Sequence, residues 1–386
     1  MRKTSVNKVL NYVVFKTNRH MNLYQSILRP LLFTIDPERA HNQALRRLQW
    51  AGDRPAVLSW MDRMFSFEDD RLAQHYFGLH FPNPIGLAAG FDKNGVGIEA
   101  MQHLGFGALE IGSVSNDASA GNPIRPRLFR IPKDKGTIVF YGVPNDGAEK
   151  IANRIRDNRL RIPLGINLVE TNTGKEWTAA QTIEDMVRAA QPFLGIADYF
   201  ALNLNCPNTA GGEGPFEDRA QLIDLLQGYQ NYPDMAPTFL KVTATSEERM
   251  IDHYLEAAAD FDFVKGIIFN LPPGNPYQLK TDKRKLAKMK GAVSGLPTQA
   301  RMDPAIQTWR RRTDKKRWII IGSGGIFTAE DAYRKIKLGA SLLQLYTAMI
   351  YEGPGVVKQI KQGLVRLMEQ DGIRHISEVA GTENKV

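Results

Sequence analysis

Trp318-Ile-Ile-Ile-Gly-Ser-Gly-Gly-Ile-Phe-Thr-Ala-Glu-Asp331 sets four apolar residues, a glycine-rich turn and a helix start in immediate succession. The apolar run suits a strand buried on both faces. Thr328 followed three residues later by Asp331 is a capping pattern that opens a helix. Downstream, Leu342 to Tyr346 is a second β-rich run that ends on Thr347. Glycines after one strand and backbone donors after the next make the phosphate cradle of a (β/α)₈ barrel, where the helix dipole adds attraction for a dianion. The ligand expected there is phosphorylated. A dinucleotide fold is disfavoured, because no strand is followed by G-x-G-x-x-G with an acid about 20 residues on.

Six further runs lie upstream: Pro84 to Ala89, Ala108 to Val114, Leu164 to Val169, Phe200 to Asn205, Phe239 to Val242 and Val264 to Phe269. Helix-sized segments separate them. Eight strands over roughly 265 residues match the usual barrel of about 250, and the expected fold is an α/β (β/α)₈ TIM barrel rather than a doubly wound open sheet. Leu271 to Lys316, rich in Lys, Arg, Gly and Pro, reads as an irregular insert forming a flap over the site. No internal repeat or low-complexity tract interrupts the pattern.

Reacting groups in such a barrel lie at the C-terminal ends of the strands. Here those ends are polar. The first is followed by Ala89, Gly90 and Lys93, the third ends in Asn167, the fourth in Asn203, Cys206 and Asn208, the fifth in Lys241 and the sixth in Asn270. Amides and lysines at neighbouring strand ends suit the edges of a heteroaromatic ligand. Lys241, in mid-barrel, reads either as a counter-charge for a reduced flavin ring or as a paired buried lysine. Cys206 is the single cysteine, which excludes an internal disulfide. It reads either as inert filler or as a thiolate base that removes a carbon-bound proton. The seven histidines show no H-E-x-x-H or C-x-x-C pairing, so no metal is expected.

Ahead of the barrel, residues 1–21 form a basic arm with Arg2, Lys3, Lys8, Lys16 and Arg19 and no acid. Residues 22–68 carry Leu23, Tyr24, Ile27, Leu28, Leu31, Leu32 and Ile35 near i, i+4 spacing, with a bend or end near Pro30 and a second helix starting at Asp36-Pro37-Glu38. Two short apolar helices cannot enclose a core of their own, so they must pack on the barrel (69–386), on lipid, or on both. No run reaches the roughly 18 apolar residues of a spanning helix. The net charge of +9 favours an acidic partner, and phosphate plus a membrane surface suffice. The cluster Lys283, Arg284, Lys285, Lys288 and Lys290 lacks interleaved stacking aromatics, so no nucleic acid is expected.

Leu87-Ala-Ala-Gly-Phe-Asp-Lys93, Gly105-Phe-Gly-Ala-Leu-Glu-Ile-Gly-Ser113, Gly121-Asn-Pro, Arg125-Pro-Arg-Leu-Phe-Arg130, Asn203 to Asn208 and Gly322 to Ile326 together resemble the dihydroorotate dehydrogenases, over about residues 22 to 360. Leu31 to His41 looks like the helical extension of the quinone-dependent, membrane-associated class. The resemblance implies that FMN contacts Ala89, Gly90, Ser113, Asn167, Asn203, Lys241, Gly295, Gly325, Tyr346 and Thr347. It places dihydroorotate or an analogue against Lys93, Asn203, Asn208 and Asn270, with Cys206 as base, and quinone near His41 and Arg130. It further implies oxidation of (S)-dihydroorotate to orotate in pyrimidine biosynthesis, with peripheral attachment to the cytoplasmic face of a bacterial inner membrane or, alternatively, to the mitochondrial inner membrane.

Four departures accompany the resemblance. The quinone class normally has serine where Cys206 stands. The family's Ile-Asn-Arg-x-Gly-Phe-Asn reads Ile138-Val-Phe-Tyr-Gly-Val-Pro144, its Thr-Asn-Thr reads Phe269-Asn-Leu271, and its Gly-Lys reads Val169-Glu170. A site stripped of hydrogen-bonding groups favours a less polar ligand. The alternatives are therefore a flavin oxidoreductase acting on a less polar substrate, or a flavin-binding protein that no longer turns over.

Overall fold

The structure is a computed structural model describing residues 23–206 and 214–384. The basic arm and Asn208 lie outside the described residues. Among the described residues thirteen strands follow in chain order. A hairpin of β1 (Gln74–Tyr76) and β2 (Leu79–Phe81) precedes the first barrel strand, β3 (Ile85–Leu87), which is followed by β4 (Ala108–Val114). Then come β5 (Leu128–Ile131), β6 (Gly136–Val139), β7 (Leu164–Leu168), β8 (Tyr199–Asn203), β9 (Thr238–Thr243) and β10 (Val264–Asn270). The chain ends its sheets with β11 (Ala292–Gly295), β12 (Ile319–Ser323) and β13 (Leu342–Leu345).

Strands β3, β4, β7, β8, β9, β10, β12 and β13 close into a parallel barrel, in register from Leu343↔Ile85 round to Ile320↔Ile267. All eight fall on the eight runs read from sequence. Their side chains face either the barrel interior or the surrounding helices, which is why they are apolar without alternation. At the N-terminal end, Phe81 from the hairpin packs with Tyr199, Phe239 and Ile319 and closes the bottom.

Two features differ from expectation. Strands β5, β6 and β11 form a separate antiparallel sheet with Ala292↔Val139 and Leu128↔Val139 in register. The segment read as an irregular flap therefore holds an ordered strand, together with the 14-residue helix Gln299–Arg312 that precedes β12. The pairing escapes sequence reading because four-residue strands about 150 positions apart carry no local periodicity. Gly136 and Gly295 sit opposite each other, and a Cβ on Gly295, at φ +98°, would lie 2.6 Å from the Lys135 carbonyl.

The N-terminal extension packs on the barrel through Pro37–Gly52 and Pro55–Phe65, the first capped by the Asp36 carboxylate, which accepts from the Arg39 amide at 2.9 Å. Glu38 pairs with Arg125 at 2.9 Å and with the buried Arg127, tying this helix to the segment before β5. Leu23, Ile27, Leu28, Leu31, Trp50, Trp60 and Met64 on the extension are all about half exposed or more, and only Ile124 matches them elsewhere among the described residues. No helix among the described residues is long and apolar enough to cross a membrane.

Candidate active site

The strand ends converge on one cavity at the C-terminal face, enclosing about 1280 Å³ out to its open mouth. Ala89, Gly90, Lys93, Ser113, Asn203, Cys206, Lys241, Asn270, Gly295, Gly325, Tyr346 and Thr347 all line it. Twelve residues chosen on strand-end position and family resemblance thus share one wall. Asn167 does not; it stands one layer behind, fully buried, accepting from the Ser113 hydroxyl at 2.5 Å and donating to Glu110 at 2.9 Å.

At the barrel axis the Lys241 ammonium lies 3.1 Å from Glu110, whose carboxylate also accepts from Gln344 at 2.6 Å. The two readings of Lys241 are therefore compatible, since it is paired on one side and borders the cavity on the other. Glu110 was overlooked because it sits inside the apolar run of β4. Next to this pair, Asn270 donates to the Asn203 side chain at 2.8 Å, so two strand-end amides orient each other. Cys206 borders the same wall.

At the cradle, Ser294 and Thr347 share a hydrogen bond of 2.9 Å, Thr298 donates to the Gly295 carbonyl at 2.7 Å, and a Cβ on Gly324 would strike the Thr298 hydroxyl at 2.5 Å. Gly295, Gly324 and Thr347 are thus held close together by residues of the former flap. The capping pattern is realised, with Thr328 and Asp331 each accepting from the other's backbone amide. A phosphorylated flat cofactor fits this lining. A Cβ on Gly90 would meet only the Tyr346 ring, at 3.8 Å, so the backbone there is open to a ring system, and the buried Gln344 Oε1 has no hydrogen-bond partner.

Lys93 donates to the Gly90 carbonyl at 2.7 Å and lies 4.2 Å from the centroid of the Tyr141 ring. Burial, with a smaller contribution from Arg127, lowers its pKa to about 8 against the opposing pull of Asp92 and Glu38. The departures found in sequence shape the same wall. Val139, Val143, Phe269 and Leu271 border the cavity, as does Tyr141; Phe140 does not.

A second, apolar cavity of about 1590 Å³ runs between the extension and the barrel, lined by Phe33, Ala44, Trp60, Met61 and Met349 among others. His41 and Arg130, the residues expected to meet quinone, both line it. Arg130 donates to the Ile35 carbonyl at 2.8 Å and stacks 4.7 Å over Phe33. Leu128, Thr137, Tyr346 and Ile350 border both this tunnel and the main cavity. His41, Phe91 and Tyr346 form an aromatic partition there, with ring centroids 5.3 and 5.4 Å apart in sequence of contact.

The chain is similar to known proteins over most of its length. The family model for dihydroorotate dehydrogenase matches residues 71–368. Proteins named dihydroorotate dehydrogenase (quinone) from Gloeobacter violaceus and Nostoc punctiforme are each 37% identical to the chain, over 94% and 95% of it and 99% of each relative. Among solved structures, ligand-free type DHODH from Eimeria tenella superposes with a TM-score of 0.75 at 26% identity, over 87% of this chain and 99% of that one. DHODH from the same organism in complex with ferulenol gives 0.74, also at 26% identity, over 91% and 96%.

Proposed function

The chain belongs to the dihydroorotate dehydrogenase family, and from that premise we propose how its own residues perform the reaction. It is a flavoprotein oxidoreductase that converts dihydroorotate to orotate in pyrimidine biosynthesis and passes the electrons to quinone. FMN is the flavin that suits the cradle of Ser294, Gly295, Gly324, Gly325 and Thr347, because one phosphate is what such a turn can hold. When bound, it supplies a two-electron acceptor on one side and a donor on the other.

The protein's part is positioning and proton transfer. Lys93 meets the substrate carboxylate, Asn203 and Asn270 read the ring edges, and Asn208 continues that set. The Cys206 thiolate removes the proton from the carbon next to the one that loses its hydrogen with the electron pair. Lys241 balances negative charge that develops in the barrel mouth, while Glu110 fixes its position. Quinone enters the apolar tunnel past Arg130 and stops at His41 and Tyr346. The exposed apolar side chains of the extension suit a protein seated on a membrane surface, and the bacterial relatives favour the cytoplasmic face of an inner membrane.

The observation that carries this reading is that Cys206, Lys93, Asn203, Asn270 and Lys241 border one cavity whose far wall is shared with an apolar tunnel. Anaerobic mixing of the flavin-loaded protein with dihydroorotate tests it: the oxidised-flavin absorbance bleaches within the mixing experiment. If only dithionite bleaches it, the apolar wall of Val139, Val143, Phe269 and Leu271 serves a less polar substrate instead.

A further inference from the structure

A third cavity, of about 770 Å³, lies between the helix Pro37–Gly52 and the turn after β6. Glu38, Asn42, Asn94, Arg125, Asn145 and Asp146 give it a polar lining, in contrast to the apolar tunnel beside it. Four side chains stand where the three cavities meet, and each borders two of them. Lys93 and Tyr141 separate the main cavity from the polar chamber, His41 separates the chamber from the tunnel, and Tyr346 separates the tunnel from the main cavity.

Hydrogen bonding at this junction is incomplete. Tyr141 is 8% exposed, yet its hydroxyl has no partner, and neither does His41 Nε2. Tyr346 reaches His41 Nδ1 only at 3.5 Å. A buried polar atom left unpaired costs about 1–3 kcal/mol, so two such atoms, the Tyr141 hydroxyl and His41 Nε2, beside the long Tyr346–His41 contact call for an external partner. A polar chamber of this size can supply water.

The reaction in the tunnel needs such a supply. Reducing a quinone to its quinol takes two electrons and two protons. A reduced flavin held as its anion by the Lys241 ammonium would supply the two electrons with one proton only, and the second proton would then come from solvent. Apart from its arginines, the titratable side chains lining the tunnel are Tyr24, His41 and Tyr346; burial raises both phenols above their ordinary value, and the Tyr24 hydroxyl is already committed to the Ile350 carbonyl at 2.8 Å.

We propose that the polar chamber is the proton vestibule of quinone reduction, with His41 carrying the proton across the partition and Tyr141 ordering the water that feeds it. His41 takes a proton from chamber water at one ring nitrogen and gives up the proton on the other to the quinone oxygen, so the imidazole is neutral before and after. Burial, reinforced by the Lys93 charge and weakly opposed by the Phe91 backbone, holds its pKa near 3, which keeps an imidazolium from accumulating beside that ammonium.

The inference rests on the tunnel being the quinone site, and the test separates the two. The flavin-loaded full-length chain and its Tyr141→Phe and Asn42→Phe variants are titrated with a short-chain ubiquinone, whose occupancy is read by quenching of Trp50 and Trp60 in the tunnel wall. Stopped-flow reoxidation of the reduced protein is then followed in H₂O and D₂O. Exchange of the His41 ring proton with water is read in the resting protein by selective ¹⁵N labelling. The expected result is quinone binding in all three proteins. Reoxidation is slowed about 10²-fold in both variants, as for loss of one proton-transfer element, by more than any slowing of reduction by dihydroorotate. The solvent isotope effect is larger, and the His41 exchange is slower in Asn42→Phe. Wild-type reoxidation in either variant with quinone bound overturns the vestibule alone; no quenching in the wild type overturns the quinone site and the vestibule with it.

Discussion

Lys241 on β9 and Glu110 on β4, 131 residues apart, form an ion pair of 3.1 Å across the barrel interior, with the carboxylate wholly buried. Asn167 and Gln344 donate to the same carboxylate. Removing one member of such a pair leaves an uncompensated charge, at a cost of about 3–5 kcal/mol. Glu110→Leu is therefore expected to lower stability by that amount in urea unfolding. The double variant Glu110→Leu/Lys241→Met recovers most of the stability and none of the activity; an equally unstable double variant would refute the pairing argument.

Cys206→Ala removes the proposed base and leaves the cavity otherwise intact. Bleaching of the flavin by dihydroorotate should slow by about 10²–10⁴-fold, the usual span for a general base, while dithionite reduction keeps its rate. Bleaching at the wild-type rate would make the cysteine filler.

Lys93 gives a pH signature. Its folded-state pKa, about 8, lies below the ordinary lysine value, so between about 8 and 10.5 the unfolded chain binds more protons than the folded one. Stability then rises with pH across that window, by about 3 kcal/mol in total. The difference between wild type and Lys93→Met isolates this contribution. Over the same window the ammonium is lost, so orotate binding, followed by its perturbation of the flavin spectrum, weakens above about pH 8 in the wild type.

Glu38 ties the extension to the barrel through Arg127 and Arg125. Glu38→Gln leaves Arg127 buried without its anion. Reoxidation by quinone is expected to suffer more than reduction by dihydroorotate, and limited proteolysis should cut earlier near Asp53 and Arg54, between the two helices of the extension. Equal losses in both half-reactions would place Glu38 in general stability instead.

Gly295→Ala adds a Cβ at φ +98° and 2.6 Å from the Lys135 carbonyl. It should loosen the β6–β11 pairing and lower the flavin content of the purified protein. Full flavin content would remove Gly295 and its sheet from the cradle.

The barrel was legible in the sequence because its strands are buried on both faces, so each appears as a local apolar run with a polar end, Leu164 to Asn167 or Phe239 to Lys241. The extension was legible for a similar reason, its apolar side chains recurring at helical spacing. Most of the cavity lining followed, because barrel strands deliver their ends to one place. Other features depended on partners far away in the chain. Glu110 reads as a flaw in an apolar strand until Lys241 and Gln344 are seen around it. Strand β11 has no signal of its own until β6 lies beside it. The meeting of three cavities at Tyr141, His41, Lys93 and Tyr346 exists only in the folded chain, because burial and an unmet hydrogen bond are properties of an arrangement and not of a residue type. Residue pattern determined the barrel and where its chemistry would gather, and tertiary structure decided what each polar group there is paired with.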